Sequence, residues 1–339
     1  MKTEANCPAD ILIVKLGSLG DVVRTSYVLP GLYRKYNDPK IYWLTSPASL
    51  DLLRFNPYIS ELLVSGTALT NTLFDLVVSL DDEKEALSHV NAIKFKDLTG
   101  AFLRDGPVYS ENAAEWFDMG LISRFGKERA DELKKLNTRE HNEILADMLG
   151  IEINGPIFFN SPLIEKRMSR SFSNSYFNIG INSGAGSRWS SKQLKMNETL
   201  KLIKELIEMK INEKPTRIYL LGGKKEARRH YFIKDASASA RLIDAGTDNS
   251  LLEFAAIIKC CDYVITSDSL ALHLAISQKV GNLSFYAPTS AAEIGTFGTG
   301  VKVISLSADY CSYKKETDNS SITAERIMGA FMSHLGHST

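Results

Sequence analysis

The stretch from Asp262 to Gly295 constrains the fold of this chain more than any other part of its sequence. Residues 262–266 have the pattern of a buried strand, residues 267–269 of a polar turn, residues 270–277 of a helix and residues 282–286 of a second apolar strand. This order predicts a βαβ unit. Ligands of open α/β sheets bind at the carboxyl ends of strands, where a helix start offers backbone N–H groups. We therefore expect an anionic ligand at the turn formed by Ser267, Asp268 and Ser269.

Alternating strand and helix patterns fill both halves of the 339-residue chain, which is longer than one small core requires. We predict an α/β protein with a first doubly wound domain over residues 1–160 and a second over residues 175–339. The Ser- and Pro-containing residues 154–175 are expected to link them. The final helix, from near Ser321, is a candidate to pack back on the first domain.

Charge and cysteine content exclude several functions. The chain has 40 Lys and Arg residues and 40 Asp and Glu residues. This balance gives no global electrostatic argument for binding to nucleic acid. The four cysteines form no CxxC and no zinc spacing, and no metal ligand set is expected. No apolar run reaches the roughly 18 residues of a membrane span. We expect a cytoplasmic protein, with a peripheral membrane contact as a further expectation.

The first predicted strand, residues 11–15, runs into a turn with Ser18, Gly20 and Asp21, and a long helical pattern follows. Glycines let a backbone bend tightly and approach a ligand. Asp21 lies at the helix start, where it is either a plain N-cap or a functional carboxylate. The turn is not a Walker A loop, and it fits GxGxxG poorly.

Residues 99–139 mix aromatic side chains with basic ones, among them Arg104 and Arg124. Acidic residues are interspersed, so the region reads either as a solvated helical face or as a surface that holds an anionic acceptor. In the second half, the strand 177–182 leads into small residues followed by the cations Arg188 and Lys192. A loop of this kind suits an anion better than an apolar ligand.

Four motifs in order resemble glycosyltransferase family 9, the ADP-heptose:lipopolysaccharide heptosyltransferases. They are Lys-Leu-Gly-Ser-Leu-Gly-Asp at 15–21, Gly-Ala-Gly-Ser-Arg-Trp at 184–189 with Lys192, Leu-Gly-Gly at 221–223 with Glu226, and Ser-Asp-Ser-Leu-Ala-Leu-His-Leu-Ala at 267–275 continued by Pro-Thr-Ser at 288–290. The resemblance covers residues 10 to about 305. It implies the GT-B architecture, in which two Rossmann-like domains face a central cleft.

The resemblance also implies roles for individual residues. Asp21 corresponds to the general base, Lys192 to the lysine that neutralises the donor diphosphate, and Asp268 to the aspartate at the donor sugar. Glu226 lies near the nucleoside, and Ser269 begins the phosphate-binding helix, with His273 one turn further on. The remaining candidates are Ser187, Arg188, Gly222 and Ser267 for the donor, and Ser18, Gly20, Arg104 and Arg124 for the acceptor.

The expected function is an inverting, metal-independent transfer of a sugar, heptose from ADP-heptose, to a lipopolysaccharide-core or other anionic surface glycan. The nucleotide sugar is a substrate, and no cofactor is expected. A carboxylate base on one side and a stabilised diphosphate on the other suffice for such a transfer. Two alternatives remain open: a GT-B nucleotide-sugar epimerase, which needs no acceptor, and a non-catalytic nucleotide-sugar-binding scaffold, which needs no base.

Overall fold

The structure is a computed structural model that describes residues 8–66, 72–113, 116, 121–184, 189–314 and 316–337. The chain divides into two compact units, residues 1–159 and residues 160–339. Each unit is built around its own largely parallel sheet, and the predicted pair of Rossmann-like α/β domains is confirmed.

The first unit contains a six-stranded sheet among its described residues. Its strands are β1 (Asp10–Val14), β2 (Lys40–Thr45), β3 (Glu61–Val64), β4 (Leu73–Ser79), β5 (Lys94–Leu103) and β6 (Pro107–Tyr109). Their order across the sheet is β3-β2-β1-β4-β5-β6, parallel except for the antiparallel pair β5–β6. Side chains of β1 alternate between two cores, Ile11 and Ile13 on one face and Leu12 and Val14 on the other. Burial of both faces explains why this strand is apolar throughout.

The helices of the first unit lie on both faces of this sheet. They are α1 (Leu19–Thr25), α2 (Leu29–Lys35), α3 (Leu50–Leu53), α4 (Lys84–Asn91), α5 (Leu121–Leu136) and α6 (His141–Leu149). A 3-10 turn, Ser26–Val28, joins α1 to α2. Helix α5 is kinked at Gly126, where φ is 76°. Gly150 closes α6 in the left-handed conformation.

The second unit repeats the plan. Its strands are β7 (Phe177–Asn182), β8 (Lys210–Ile211), β9 (Lys214–Leu220), β10 (Leu242–Asp244), β11 (Tyr263–Ser267), β12 (Gly281–Tyr286) and β13 (Gly300–Ile304). The sheet order is β10-β9-β7-β11-β12-β13, all parallel, and the short β8 pairs antiparallel with β9. Its helices are α7 (Pro162–Ser169), α8 (Met196–Glu208), α9 (Ala227–Ala236), α10 (Leu251–Lys259), α11 (Leu270–Ser277) and α12 (Ala324–His337). The chain order reverses between β7 and β11, which places the ends of these neighbouring strands at the switch point of the sheet.

Three segments differ from the sequence-based expectation. Residues 94–109 form the β5–β6 hairpin, so Arg104 lies in a hairpin turn and not on a helical face. The predicted linker contains α7, which packs against α10 of the second unit. The final helix buries Ile327 and Phe331 in the core of the second unit, because its apolar side covers α8 and the last strands.

Candidate active site

The turn after β1 is fixed by a reciprocal capping arrangement. Helix α1 begins at Leu19 with Ser18 as its N-cap, and Asp21 is the third residue of the helix. Asp21 Oδ2 accepts hydrogen bonds from the Ser18 hydroxyl at 2.9 Å and from its N–H at 3.3 Å. Asp21 is therefore not the N-cap of α1. Ser18 occupies the N-cap position, and Asp21 completes the capping box from the third position of the helix.

Arg24 holds the other oxygen of Asp21. Its Nε and Nη2 lie 2.9 and 2.8 Å from Asp21 Oδ1. The Asp21 side chain is 30% exposed, whereas Arg24 is 10% exposed. The carboxylate is thus oriented through both oxygens and still reachable from solvent. Gly20 is buried within the same turn.

The two arginines predicted for the acceptor are exposed and lie against aromatic rings. Arg104 sits over Phe102 at 5.4 Å, and Arg124 sits over Phe125 at 5.3 Å. Burial raises the pKa of Tyr109 to about 12, and the positive charge of Arg124 opposes this rise. Arg124 is therefore close enough to Tyr109, on β6, to interact with it electrostatically.

Lys192, Asp268 and His273 come together in the second unit, as their motifs predict. Lys192 ends a 3-10 turn, and its Nζ lies 2.8 Å from Asp268 Oδ2 and 2.9 Å from the Asp268 carbonyl oxygen. His273 Nε2 lies 3.5 Å from Asp268 Oδ1. Burial alone would raise the pKa of Asp268, but Lys192 and His273 more than offset it and hold this pKa well below its usual range. Asp268 therefore stays a carboxylate.

A serine and threonine network holds the turn between β11 and α11. The Ser269 hydroxyl accepts a bond from Asn182 Nδ2 at 3.0 Å and lies 3.0 Å from Thr266 Oγ1. Asn182, on the neighbouring strand, also bonds Thr266. Ser269 is the N-cap of α11, and the first turn of a helix presents N–H groups without intrahelical acceptors. Among the described residues, the buried Ser267 hydroxyl has no hydrogen-bond partner.

Glu226 occupies the space above two glycines, Gly184 and Gly222, which follow the neighbouring strands β7 and β9. A Cβ on Gly184 would lie 2.3 Å from Glu226 Cγ, and one on Gly222 would lie 2.7 Å from Glu226 Cβ. Glu226 Oε2 accepts the Gly223 N–H at 3.0 Å. The loops after β7 and β9 thus meet at one carboxylate. Ser187 and Arg188, predicted for the donor, belong to residues 185–188 and lie outside the described residues.

Two contributors to these sites were missed in the sequence. Arg24 lies one helical turn after Asp21, a spacing that places both on one face of α1 and was available as a signal. Asn182 ends β7 beside β11, and only the strand order brings it to Ser269. Within the described ranges, no group of three or more His, Cys, Asp or Glu side chains has the arrangement of a metal site. None of the described helices is long and apolar enough to cross a bilayer.

Two Rossmann-like units, the second with a lysine and a helix start at the switch point of its sheet, are features of the GT-B fold. The model of "Glycosyltransferase family 9 (heptosyltransferase)" matches residues 179–323, which lie in the second unit. This match agrees with the family that the motifs indicate, and it supports a glycosyltransferase. No curated protein matches the sequence.

Solved structures resemble the chain over nearly its whole length. A glycosyl transferase of family 9 from Veillonella parvula has a TM-score of 0.75 at 17% identity, with 97% of this chain and 98% of that one covered. The ADP-heptose lps heptosyltransferase II of E. coli has a TM-score of 0.68 at 15% identity, covering 97% and 99%. An E. coli heptosyltransferase solved with ADP has a TM-score of 0.65 at 14% identity, covering 96% and 99%. Because these sequence identities are low, the similarity shows a shared fold.

Proposed function

We propose that the protein is an inverting, metal-independent heptosyltransferase that transfers heptose from ADP-heptose to an anionic lipopolysaccharide-core or other surface glycan. The observation that carries this proposal is the cluster of Lys192, Asp268 and His273 at the start of α11, inside the segment that matches the family model. The solved neighbours named for ADP-heptose and for bound ADP support the choice of donor.

The second unit is the proposed donor domain. Lys192 and the N–H groups at the start of α11 neutralise the diphosphate, with Ser267 and Ser269 at its edge. Asp268, held ionised, accepts hydrogen bonds from sugar hydroxyls and does not face the phosphates, because two anions repel. Gly222 and Glu226 contact the nucleoside. Ser187 and Arg188 remain proposed donor residues.

The first unit is the proposed acceptor domain, with Asp21 as the base. An acceptor hydroxyl replaces the Ser18 hydroxyl at Asp21 Oδ2, while Arg24 keeps Oδ1 in place. Asp21 takes the proton as the acceptor oxygen bonds to the anomeric carbon. The bond from that carbon to the diphosphate breaks, and ADP leaves with the electron pair. A single displacement inverts the anomeric carbon.

Ser18, Gly20, Arg104 and Arg124 are the proposed acceptor contacts. The exposed guanidinium groups suit phosphate or carboxylate groups of a surface glycan, for which the forked donor geometry of arginine is favourable. We place the enzyme in the cytoplasm, with a peripheral contact at the inner face of the inner membrane, because acceptors of this class are lipid-linked.

Calorimetric titration with ADP-, UDP- and GDP-sugars in EDTA tests the donor. Binding in EDTA is expected because Lys192 and the α11 start meet the charge of the diphosphate, and selectivity for the ADP-sugar is expected from the contacts of Gly222 and Glu226 with the nucleoside. Preference for UDP or GDP would discard ADP-heptose, and binding that requires an added divalent cation would discard metal independence.

Lys192→Ala tests the diphosphate contact. We expect ADP-sugar affinity to fall by about 1.5–3 kcal/mol, the scale of a hydrogen bond to a charged group. The matched control is Lys259→Ala, which breaks a lysine–carboxylate pair with Glu165 at 2.8 Å in the same unit. The control should bind like the wild type. Equal affinities of Lys192→Ala and the wild type would remove Lys192 from the site.

Asp21→Asn tests the base. We expect turnover to fall by roughly 100-fold or more, because the amide does not accept the proton. Affinity for the ADP-sugar should stay within about twofold, since the donor contacts lie in the second unit. Near-wild-type turnover in a folded Asp21→Asn variant would refute the assignment.

A further inference from the structure

A second carboxylate lies behind the turn that carries Asp21. Asp81 follows β4, and its Oδ1 lies 2.6 Å from Lys15 Nζ. Lys15 also donates to the Leu80 carbonyl oxygen at 3.0 Å. The two side chains are only 7% and 13% exposed. A buried ion pair stabilises a fold little compared with apolar packing, so its presence at this point calls for a role other than stability.

Asp81 also holds the backbone at the start of the turn. Its Oδ2 accepts the Leu16 N–H in a short hydrogen bond. On the other side of that residue, the Ser49 hydroxyl donates to the Leu16 carbonyl oxygen at 3.1 Å, and Trp43 Nε1 donates to the Lys15 carbonyl oxygen at 3.3 Å. Side chains from three other segments therefore fix the residues from which the Gly17–Asp21 turn departs.

Asp81 and Asp21 interact electrostatically. Burial raises the pKa of Asp81, Lys15 and the Leu16 N–H lower it in part, and the negative charge of Asp21 raises it further. Such an interaction is mutual, so the charge of Asp81 also favours a proton on Asp21. This acts against Arg24, whose guanidinium favours the ionised carboxylate.

Among the described residues, further titratable groups around this pair include Asp82, Tyr109 and His141. Asp82, next to Asp81, accepts a hydrogen bond from the Tyr109 hydroxyl at 3.0 Å. His141 on α6 bonds Trp116 Nε1 at 3.0 Å, and the Trp116 ring lies 6.0 Å from Lys15 Nζ. Asp81 touches the turn backbone, and its charge interacts with that of Asp21.

We propose that Asp81 is a positioning residue for Asp21: it holds the turn through the Leu16 N–H and, paired with Lys15, places a negative charge behind the base that opposes the effect of Arg24 on it. This rests on the proposed role of Asp21 as general base. It assigns a function to a buried charge pair that donor and acceptor binding do not require.

Two substitutions separate the two effects. Asp81→Asn keeps an oxygen that accepts the Leu16 N–H but removes the charge, whereas Asp81→Leu removes both. We expect Asp81→Asn to move the acid limb of the kcat pH profile to lower pH by roughly half a unit or more, because the base loses a neighbouring negative charge. We expect Asp81→Leu to lower kcat by roughly 10–100-fold through misplacement of the base, with the KM for the ADP-sugar unchanged.

Asp75→Asn is the matched control. Asp75 bridges the same strand pair at its other end, accepting the Asp10 N–H at 2.9 Å and pairing with Lys96 at 2.6 Å. Its loss should leave kcat and the pH profile unchanged. Thermal unfolding measures whether each variant is folded. If Asp81→Leu does not fold, the pH profile of Asp81→Asn tests the proposal by itself.

The outcomes are distinguishable from failure of the proposed function. If Asp21→Asn abolishes turnover but Asp81→Asn has the wild-type pH profile, the charge of Asp81 has no role, and if Asp81→Leu also keeps the wild-type kcat, the positioning role is wrong while the base assignment stands. If Asp75→Asn moves the acid limb as far as Asp81→Asn does, the effect is not specific to the turn. If Asp21→Asn keeps turnover, the base assignment fails whatever Asp81 does.

Discussion

At the scale of single residues, two lysine–aspartate pairs of similar geometry have opposite effects on their carboxyl groups. Lys15 and Asp81 are 2.6 Å apart, and Lys192 and Asp268 are 2.8 Å apart. Burial raises the pKa of Asp81, and the single cation Lys15 offsets this rise only in part. Lys192 and His273 together outweigh burial and lower the pKa of Asp268. The number and sign of the neighbouring charges, and not the length of the ion pair, decide the direction.

This difference predicts a dependence of stability on pH. Because the pKa of Asp268 is lower in the folded protein than in the unfolded one, its contribution is fully present above the unfolded value of about 3.9 and is lost as pH falls through the folded value. We expect the difference in unfolding free energy between the wild type and Asp268→Asn to shrink as the pH falls from about 5 to about 3. Urea unfolding across this range measures it.

The exposed pair of Asp248 and Lys224 supplies the control. These side chains are 81% and 79% exposed and lie 2.9 Å apart. Asp248→Asn should change the unfolding free energy by no more than about 1 kcal/mol at any of these pH values. A difference for Asp268→Asn that grows as the solution becomes more acidic would contradict the assigned direction of its pKa.

At the scale of elements, the loops after β7 and β9 are fitted to each other through Glu226. Replacing Gly184 or Gly222 by alanine would force a methyl group against this side chain, at 2.3 and 2.7 Å from its atoms. We expect either variant to lose roughly 1–3 kcal/mol of stability, the usual cost of overpacking, and to bind the ADP-sugar more weakly because Glu226 moves.

Gly223→Ala is the control for this prediction. A Cβ there would lie 3.7 Å from Glu226 Oε2, an ordinary contact. Calorimetric titration and thermal unfolding of the three variants compare the effects. If both Gly184→Ala and Gly222→Ala bound the ADP-sugar with wild-type affinity, the position of Glu226 would not matter for nucleotide binding.

The strands and helices nearest the site are those that the sequence predicted best. Residues 11–14 and 263–265 are apolar because sheets with helices on both faces bury them, and these continuous apolar runs are readable in the sequence. The pattern at residues 92–95 indicated a strand, but the rest of the β5–β6 hairpin was not recognised, because the aromatic and basic residues from 99 onward were interpreted as a helical face. The pairing of Lys15 with Asp81 was also missed. It joins residues 66 positions apart, and only the strand order brings the ends of β1 and β4 together.

At the scale of the whole molecule, the division between the units falls before α7, at residues 159 and 160. Asn160 Nδ2 donates to the Leu252 carbonyl oxygen at 2.9 Å, and Glu165 pairs with Lys259 at 2.8 Å. Arg167 pairs with Glu253 in a short contact. These bonds tie α7 and the residues just before it to α10, so the stretch predicted as a linker contributes structure to the second unit.

Fragments with different starting points test this. We expect residues 160–339 to unfold cooperatively and to bind the ADP-sugar. Residues 175–339 lack α7 and its contacts with α10, and they should unfold at a lower urea concentration, because one face of α10 is left uncovered. Equal midpoints of the two fragments would show that α7 does not stabilise the unit.

The position of Glu226 over two glycines has a consequence for how this protein diverges from its relatives. A larger side chain at 184 or 222 becomes acceptable only once residue 226 has become smaller, and a shorter residue at 226 leaves a gap that favours replacement of a glycine. The three positions should therefore change as a linked set over evolutionary time. Lineages that have altered one of them alone should be rare, or should have altered the nucleotide that they accept.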